Sequence, residues 1–228
     1  MRKGVTLVEL MVSLAIAALL MLAVYGMHAT GQEVSRTIRD GWYCMQSLRA
    51  AILQLDQDLL QSAYLLPQDM KVVIGASQLF IAGAPITADY AGLSLANGEP
   101  PPYYAVVVSR TPSAIGLDTV DLDNDHVPDF RADLGLITDH GAYVIAHTYA
   151  RGDAFVPVQG VPEGIMGSRV VPAVHYALNE GGLYRNGQLL AERIVRFEAR
   201  REGAILDIYL RSTCNGTARE MHYRYPIG

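Results

Sequence analysis

The sequence predicts an α+β protein in which one long N-terminal helix packs on a C-terminal antiparallel β-sheet domain. Three observations lead to this prediction. Residues 5–27 are apolar or small almost without a break, and no proline occurs before Pro67. Beyond Pro67, short alternating segments are separated by stretches rich in glycine and proline. With 228 residues, the chain is long enough for one medium-sized domain beside an extended element.

The composition argues against several classes of function. The 18 basic and 23 acidic residues give a net charge of −5, and they form no basic patch of the kind that binds nucleic acid. No Ser-His-Asp order, pair of catalytic carboxylates or phosphate-binding loop stands out in the sequence. We therefore expect a protein that has no nucleic-acid partner and is not an enzyme.

The apolar run at residues 5–27 is the first element. About 20 apolar residues are long enough to cross a bilayer as a helix. Glu9 is the only charged residue in the run, and a carboxylate is costly in hydrocarbon. A cleaved secretory signal starting at Arg2 and Lys3 would have a shorter apolar core. A plain membrane anchor leaves Glu9 unexplained, and a buried core helix is rarely so long and so apolar.

The segment from about Gly31 to Leu65 is amphipathic. Its apolar residues recur at spacings of three and four and form one stripe on a helix, consisting of Met45, Leu48, Ile52, Leu55 and Leu59. Charged residues, among them Asp56 and Asp58, are expected to point away from this stripe. We predict one helix from about Val5 to about Leu65, ended by Leu66-Pro67. A coiled-coil seam is the alternative use of the stripe, but packing on the chain's own domain is favoured.

Seven β-like segments follow the helix. They are Gln78–Ala82, Tyr104–Arg110, Ala142–Ala150, Arg169–Leu178, Ile194–Arg200, Ala204–Arg211 and Arg219–Tyr225. Between the fourth and the fifth, a Gly-Gly turn and Asn186-Gly187 predict a further hairpin. The last three segments alternate apolar and polar residues, which is typical of half-buried antiparallel strands. The domain lacks the strand–helix alternation of a nucleotide-binding fold.

An acidic loop at residues 121–133 is a candidate metal site. Its possible ligands are the side chains of Asp121, Asp123, Asp125, Asp129 and Asp133, with the carbonyl oxygen of Val127. Alternate oxygen ligands suit Ca²⁺, which binds six to eight oxygens. The spacing resembles the calcium loops of thrombospondin type 3 and dockerin-like repeats. It departs from them at His126, where they have glycine, and at Ala132, where a bidentate acid is expected. A solvated acidic loop is the alternative.

The two cysteines, Cys44 and Cys214, are 170 residues apart and match no metal or redox motif. They are either two buried thiols or a disulfide that joins the early helix to the C-terminal strands. If the chain is exported, an oxidising compartment favours the disulfide.

The N-terminal residues 2–10, Arg-Lys-Gly-Val-Thr-Leu-Val-Glu-Leu, resemble the class III signal of type IV pilins and pseudopilins. In that family a short basic leader ends in glycine, and cleavage falls before the apolar run. The resemblance places cleavage between Gly4 and Val5 and makes Val5 the N-methylated first residue. It also implies that Glu9 meets the N-terminal amine of a neighbouring subunit inside an apolar bundle, where a buried charge needs a partner.

A second resemblance lies near the other end of the chain. Gly-Gly-Leu-Tyr-Arg at residues 181–185, followed by Leu-Ala-Glu at 190–192 and Val-x-Phe at 195–197, is similar to the end of minor pilins of the PilW type and of the J-type type II secretion pseudopilin. It implies a pilin-like fold for the β-rich part.

Together these observations predict four segments. Residues 1–4 are a leader, 5–28 the transmembrane and polymerisation half of the helix, 29–66 its amphipathic half, and 67–228 the globular domain with the acidic loop.

The resemblance implies a structural subunit that primes or builds a type IV pilus. Its partners would be other minor and major pilins or pseudopilins and, as the enzyme acting on it, a prepilin peptidase. The chain would lie in the inner membrane with its domain in the periplasm, and later in the filament or at its tip. The alternatives are a type II secretion pseudopilin and a membrane-anchored extracytoplasmic binding or adhesive domain.

Overall fold

The computed structural model describes residues 6–62, 70–83, 104–118, 130, 132, 134–145, 155–158 and 160–227. The chain divides into two compact units, Met1–Tyr43 and Cys44–Gly228. Helix α1 spans Leu7–Gln61. The predicted end near Leu65 and the Leu66-Pro67 stop lie outside the described residues.

In the first unit, the apolar side chains of α1 are exposed along the whole described length. The helix is long and apolar enough to cross a membrane, and its most apolar window has no buried residue. Apolar side chains gain free energy only when they leave water. The described residues leave this part of the helix uncovered, which suits a segment that lipid or other helices surround.

In the second unit, the described residues form thirteen strands, all paired antiparallel. They are β1 Val72–Ile74, β2 Gln78–Ala82, β3 Ala105–Thr111, β4 Ala114–Leu117, β5 Gly135–Thr138, β6 Gly141–Val144, β7 Phe155–Pro157, β8 Arg169–Asn179, β9 Gly182–Arg185, β10 Gln188–Glu192, β11 Ile194–Glu202, β12 Ile205–Cys214 and β13 Thr217–Pro226. A 3₁₀ helix, Glu163–Ile165, precedes β8. The predicted fold class, a long apolar helix followed by an antiparallel β domain in a pilin-like α+β arrangement, is confirmed.

The strands form two sheets. In the larger, β8 is the central strand, pairing with β2 and β3 along one edge and with β5 and β9 along the other. The smaller sheet has the order β11-β12-β13, and its strands follow each other directly in the chain. The two-residue turn between β12 and β13 is Asn215-Gly216, and both residues have positive φ, 47° and 78°. Such turns match the right-handed twist of the flanking strands.

Each predicted strand has an observed counterpart, and β2 coincides with its prediction, whereas β1, β4, β5 and β7 were not predicted. The predicted segment Ala142–Ala150 corresponds to β6 and the Ile145 bridge to Val158, and residues 146–150 lie outside the described part. One turn is shifted by a residue, because Glu180-Gly181 forms it and Gly182 begins β9. A Cβ atom at Gly182 would lie 2.6 Å from Leu189 Cδ1 on β10, so any other residue here would displace the Leu189 side chain.

The predicted apolar stripe of α1 lies in the main core of the second unit. Leu48, Leu55 and Leu59 are fully buried against both sheets, and Met45 and Ile52 pack beside them partly buried. Truncating a buried leucine to alanine costs about 2–5 kcal/mol, so this face of the helix supplies much of the packing. The helix therefore packs on the chain's own sheets, as favoured from the sequence, and not in a coiled-coil seam.

The expectation that Asp58 points away from the core was wrong. Its side chain is 2% exposed and faces the sheets beside Leu55 and Leu59. A buried carboxylate is tolerated only where hydrogen-bond donors surround it. Such donors come from β8 and β9, far along the chain.

Candidate functional site

The start of helix α1 is the candidate functional site. The backbone N–H of Thr6 and its hydroxyl group both donate to Glu9 Oε2, at 2.9 and 3.0 Å. Glu9 N lies 3.4 Å from Thr6 Oγ1 and completes a reciprocal pair of contacts. This is a capping box, in which a threonine and a glutamate three residues later satisfy backbone N–H groups that the first helical turn leaves unpaired.

The cap places a negative charge at the positive end of the helix dipole, where it is stabilised. Thr6-x-x-Glu9 is a readable sequence signature of a capping box, whereas the resemblance to pilins predicts only a contact of Glu9 with another subunit. The structure therefore adds a role within the chain. Both residues are exposed, so the cap leaves the Glu9 carboxylate accessible to a further donor.

The other residues predicted for this site, Gly4 and Val5, lie outside the described part of the chain. So do the candidate calcium ligands Asp121, Asp123, Asp125, Val127, Asp129 and Asp133. Among the residues that are described, no group of three or more His, Cys, Asp or Glu side chains is placed to hold a metal ion. The calcium site therefore stays a prediction from the sequence.

A disulfide joins Cys44 on helix α1 to Cys214 at the end of β12, with 6.3 Å between the Cα atoms. Both residues are buried, and Ser212 Oγ lies 3.1 Å from Cys44 Sγ. The two cysteines are 170 residues apart in the chain. The bond therefore ties the start of the second unit's helical segment to its C-terminal sheet.

A buried polar cluster joins the same helix to the larger sheet. Asp58 accepts hydrogen bonds from Tyr176 Oη at 2.5 Å, and from Arg185 Nε and Nη2 at 2.7 and 2.9 Å. Gln54 Nε2 donates to the same carboxylate at 3.1 Å. Burial and the Asp58 charge raise the pKa of Tyr176, so its hydroxyl keeps its proton and acts as a donor. With four donors on one carboxylate, the cluster has the geometry of a structural tie between helix and sheet.

A second carboxylate–tyrosine pair lies nearby. Tyr223 on β13 donates a hydrogen bond to Asp56. Burial of the Tyr223 hydroxyl is the main cause and this hydrogen bond the second, and together they raise the pKa of Tyr223 to about 12. Helix α1 is thus held to β12 by the disulfide and to β13 by the Tyr223–Asp56 bond.

A polar cleft of about 290 Å³ crosses the outer face of the three-stranded sheet, lined by Arg196, Glu198, Arg200, Asp207, Tyr209 and His222. Its charges are largely paired with each other. Arg196 lies 2.7 Å from Glu198 and 5.2 Å from the centre of the Tyr209 ring. The surface of the cleft therefore carries positive and negative side chains that contact each other across the strands.

Residues 1–25 match the family model of the prokaryotic N-terminal methylation motif. No curated protein and no solved structure shows significant similarity to the chain. The matched segment contains Gly4, Val5 and the Thr6–Glu9 cap. The match supports a type IV pilin-like protein and suggests a structural subunit. It implies a substrate of a prepilin peptidase with pilins as partners in general, and with the apolar helix it is consistent with a membrane-anchored protein.

Proposed function

We propose that this chain is a minor pilin or pseudopilin, a non-enzymatic subunit that primes or assembles a type IV pilus. The observation that carries the proposal is the methylation motif at residues 1–25. It coincides with a capped helix start at Thr6 and with an apolar helix segment that the described residues leave uncovered. In a filament or a bilayer, the surrounding helices or lipids cover those apolar side chains.

In this proposal a prepilin peptidase removes residues 1–4, and Val5 becomes the methylated N-terminal residue. The new amine carries a positive charge one helical turn before Glu9. Inside a bundle of apolar helices, the Glu9 carboxylate of one subunit pairs with the amine of its neighbour. The geometry supports this because Glu9 is already held at the helix start by Thr6, so little side-chain freedom is lost when the pair forms.

The chain lies in the inner membrane with its domain in the periplasm until it joins the filament. Arg2 and Lys3 before the apolar run favour a cytoplasmic N-terminus. The Cys44–Cys214 disulfide supports an oxidising compartment for the domain. Both observations point to the same orientation across the membrane.

Among pilin-like machines, we favour a pilus over a type II secretion system. The support is the similarity of residues 181–197 to the PilW type and the acidic loop at 121–133, both from the sequence. Calcium is the proposed ligand of that loop, where it would neutralise the clustered aspartates. The partners of the whole chain would be other minor and major pilins.

Mass spectrometry of the mature N-terminus tests the proposal. Expression in a strain with a prepilin peptidase should give a chain that begins with methylated Val5. The same gene in a strain without the peptidase should retain Met1 and serves as the control. An intact Met1 in both strains, or a cut near Gly31, would contradict the assembly role and favour a membrane-anchored extracytoplasmic binding domain.

A further inference from the structure

Strand β13 is a long edge of the three-stranded sheet. All ten of its residues are in register with β12, from the Cys214–Thr217 pair to the Ile205–Pro226 pair, without a bulge. Within the described part of the chain, no strand pairs with its other side. A regular edge of this length presents a row of N–H and C=O groups to which another strand can pair.

The turn geometry shows which backbone groups point outward. Asn215-Gly216 is a two-residue hairpin turn, so the closing pair Cys214–Thr217 is hydrogen-bonded and every second pair after it is too. The N–H groups of the odd-numbered residues therefore face β12, and Ile227 N continues this series by donating to Ala204 O at 2.8 Å. The even-numbered residues Ala218, Glu220, His222 and Arg224 direct their backbone groups outward.

Among these outward residues, a negative and a positive side chain lie on opposite sides of His222. Glu220, His222 and Arg224 are exposed and lie on the outer face of the sheet. Glu220 lies two residues before His222, and Arg224 lies two residues after it. If a strand of the same sequence runs antiparallel to β13 with its centre at His222, each glutamate lies opposite an arginine.

We propose that a second copy of this chain pairs with the first through β13, antiparallel, with the two-fold axis at His222. Glu220 then lies opposite the partner's Arg224, Arg224 opposite the partner's Glu220, and the two three-stranded sheets become one sheet of six strands. A two-fold axis makes both contacts identical, so one favourable charge pair always occurs twice. The pairing stands on the β13 edge alone and does not rest on the proposed assembly role.

The charges favour this register. The nearest alternatives, with the axis at Met221 or Tyr223, place Glu220 or Arg224 opposite His222 and lose the contacts between Glu220 and Arg224. Moving the axis by two residues in one direction places Glu220 opposite its own copy, and moving it in the other direction places Arg224 opposite its own copy. Like charges directly opposite each other destabilise an antiparallel pair. The same charges discourage pairing with unrelated strands, which is a common protection of exposed edges.

The inner face of the strand agrees with the same register. Met221, Tyr223 and Tyr225 pack against the main core and are only partly buried there. Across the axis, Met221 lies opposite the partner's Tyr223, an apolar pair that extends the core from one copy to the next. Cross-strand pairs of this kind are the unit of sheet stabilisation.

Glu220 and Arg224 can exchange their ion pairs within the chain for ion pairs with a second copy. Within one chain, Arg224 lies 3.1 Å from Glu202 and Glu220 lies 3.6 Å from Arg211, and all four side chains are exposed. Exposed ion pairs contribute little to stability. They can therefore be shared with a second copy at small cost.

Single-cysteine cross-linking of the full chain in detergent tests the register. In His222→Cys, the two introduced thiols lie on the axis, with Cα atoms about 5.5 Å apart, which a disulfide can span. Ala218→Cys is the matched control because it is on the same edge and face. In the proposed register its two copies are about 27 Å apart. We expect a dimer on a non-reducing gel for the first variant only, and no dimer, or equal dimer in both, overturns the proposal.

Charge reversal in the His222→Cys background tests the contacts themselves. Glu220→Arg or Arg224→Glu alone places like charges at both contacts, and should weaken dimer formation about tenfold. The double variant restores opposite charges and should restore the dimer. Losses within the chain accumulate in the double variant, so recovery there can arise only between chains. A double variant as weak as the single ones overturns the pairing, and thermal unfolding of each variant confirms that it is folded.

Discussion

Arg185 on β9 holds the buried carboxylate of Asp58 on helix α1 with two hydrogen bonds, from Nε at 2.7 Å and from Nη2 at 2.9 Å. Asp58 is 2% exposed, whereas the Arg185 side chain is 31% exposed. The partly exposed guanidinium therefore neutralises a carboxylate that water does not reach. Removing one partner of such a pair is costly because it leaves the other charge buried without compensation.

We predict that Arg185→Met lowers the free energy of unfolding by about 3 kcal/mol, and that Tyr176→Phe lowers it by about 2 kcal/mol through loss of one hydrogen bond to a charged group. Urea denaturation followed by circular dichroism measures both. Arg224→Met is the control, since its exposed pair with Glu202 should contribute less than about 1 kcal/mol. Equal effects of Arg185→Met and Arg224→Met would refute a structural role for the buried cluster.

How far the sequence predicts this molecule depends on the distance between interacting residues. The spacing of Leu48, Leu55 and Leu59 is a local pattern, and it predicted which helix face is buried. The burial of Asp58 was not predictable in this way, because its donors Tyr176 and Arg185 lie 118 and 127 residues further along the chain. No local pattern encodes such a contact.

For the functional residues, Glu9 and its cap were readable from local sequence, whereas the pairing of the two cysteines was not. Glu9 stood out because a lone charge in an apolar run is a strong local signal. Its capping contact with Thr6 was equally local and was encoded in the Thr6-x-x-Glu9 spacing. Only a contact of Glu9 with another subunit was predicted, however, and the cap was missed. The Cys44–Cys214 pairing needed the three-dimensional fold, because the spacing of two cysteines does not determine whether they meet.

Loss of the Cys44–Cys214 disulfide should destabilise the second unit. Replacing both residues with alanine is expected to lower the free energy of unfolding by about 2–5 kcal/mol, because the bond constrains a long loop in the unfolded chain. Thermal unfolding with and without reductant provides the measurement. Reductant should destabilise the natural protein and leave the double variant unchanged. Two alkylatable thiols in the unreduced natural protein would disprove the bond.

Stability should also fall on acidification, through His175. Its ring stacks on Phe80, with 4.6 Å between the ring centres, and Nε2 has no hydrogen-bond partner in the described part of the chain. Burial lowers the pKa of His175 below its usual value of 6.5. The unfolded chain therefore binds a proton at a higher pH than the folded chain, and stability decreases as the pH falls below about 6.5.

His175→Phe keeps an aromatic ring on Phe80 and removes the titrating group. We expect urea midpoints of the natural protein and the variant to diverge between pH 7.5 and pH 5.5, with the natural protein losing more stability. Parallel pH profiles for the two proteins would show that His175 has no part in the acid sensitivity.

The acidic loop should bind one Ca²⁺ per chain. Calorimetric titration of the full chain in detergent should show one site, with a rise in the melting temperature on adding Ca²⁺. Asp123→Asn with Asp125→Asn should abolish both effects, because each change removes a negative charge from the predicted ligand set. Asp139→Asn, at an exposed aspartate outside the loop, is the control. Absence of heat and of a thermal shift in the natural protein would end the calcium hypothesis.

The last prediction separates the two roles of Glu9. Glu9→Gln keeps a side chain that can cap the helix, because glutamine also serves in a capping box, but it removes the charge. Thr6→Ala keeps the charge and removes the cap, at about 1 kcal/mol of helix stability. If Glu9 acts by pairing with a neighbour's amine, Glu9→Gln should fail to enter filaments, whereas Thr6→Ala should enter them. Both variants should insert in the membrane and lose the leader, which membrane fractionation and mass spectrometry measure beside the sheared filament fraction. Normal incorporation of Glu9→Gln with loss of Thr6→Ala would reverse the assignment, because helix capping would then be the only function of Glu9 in assembly.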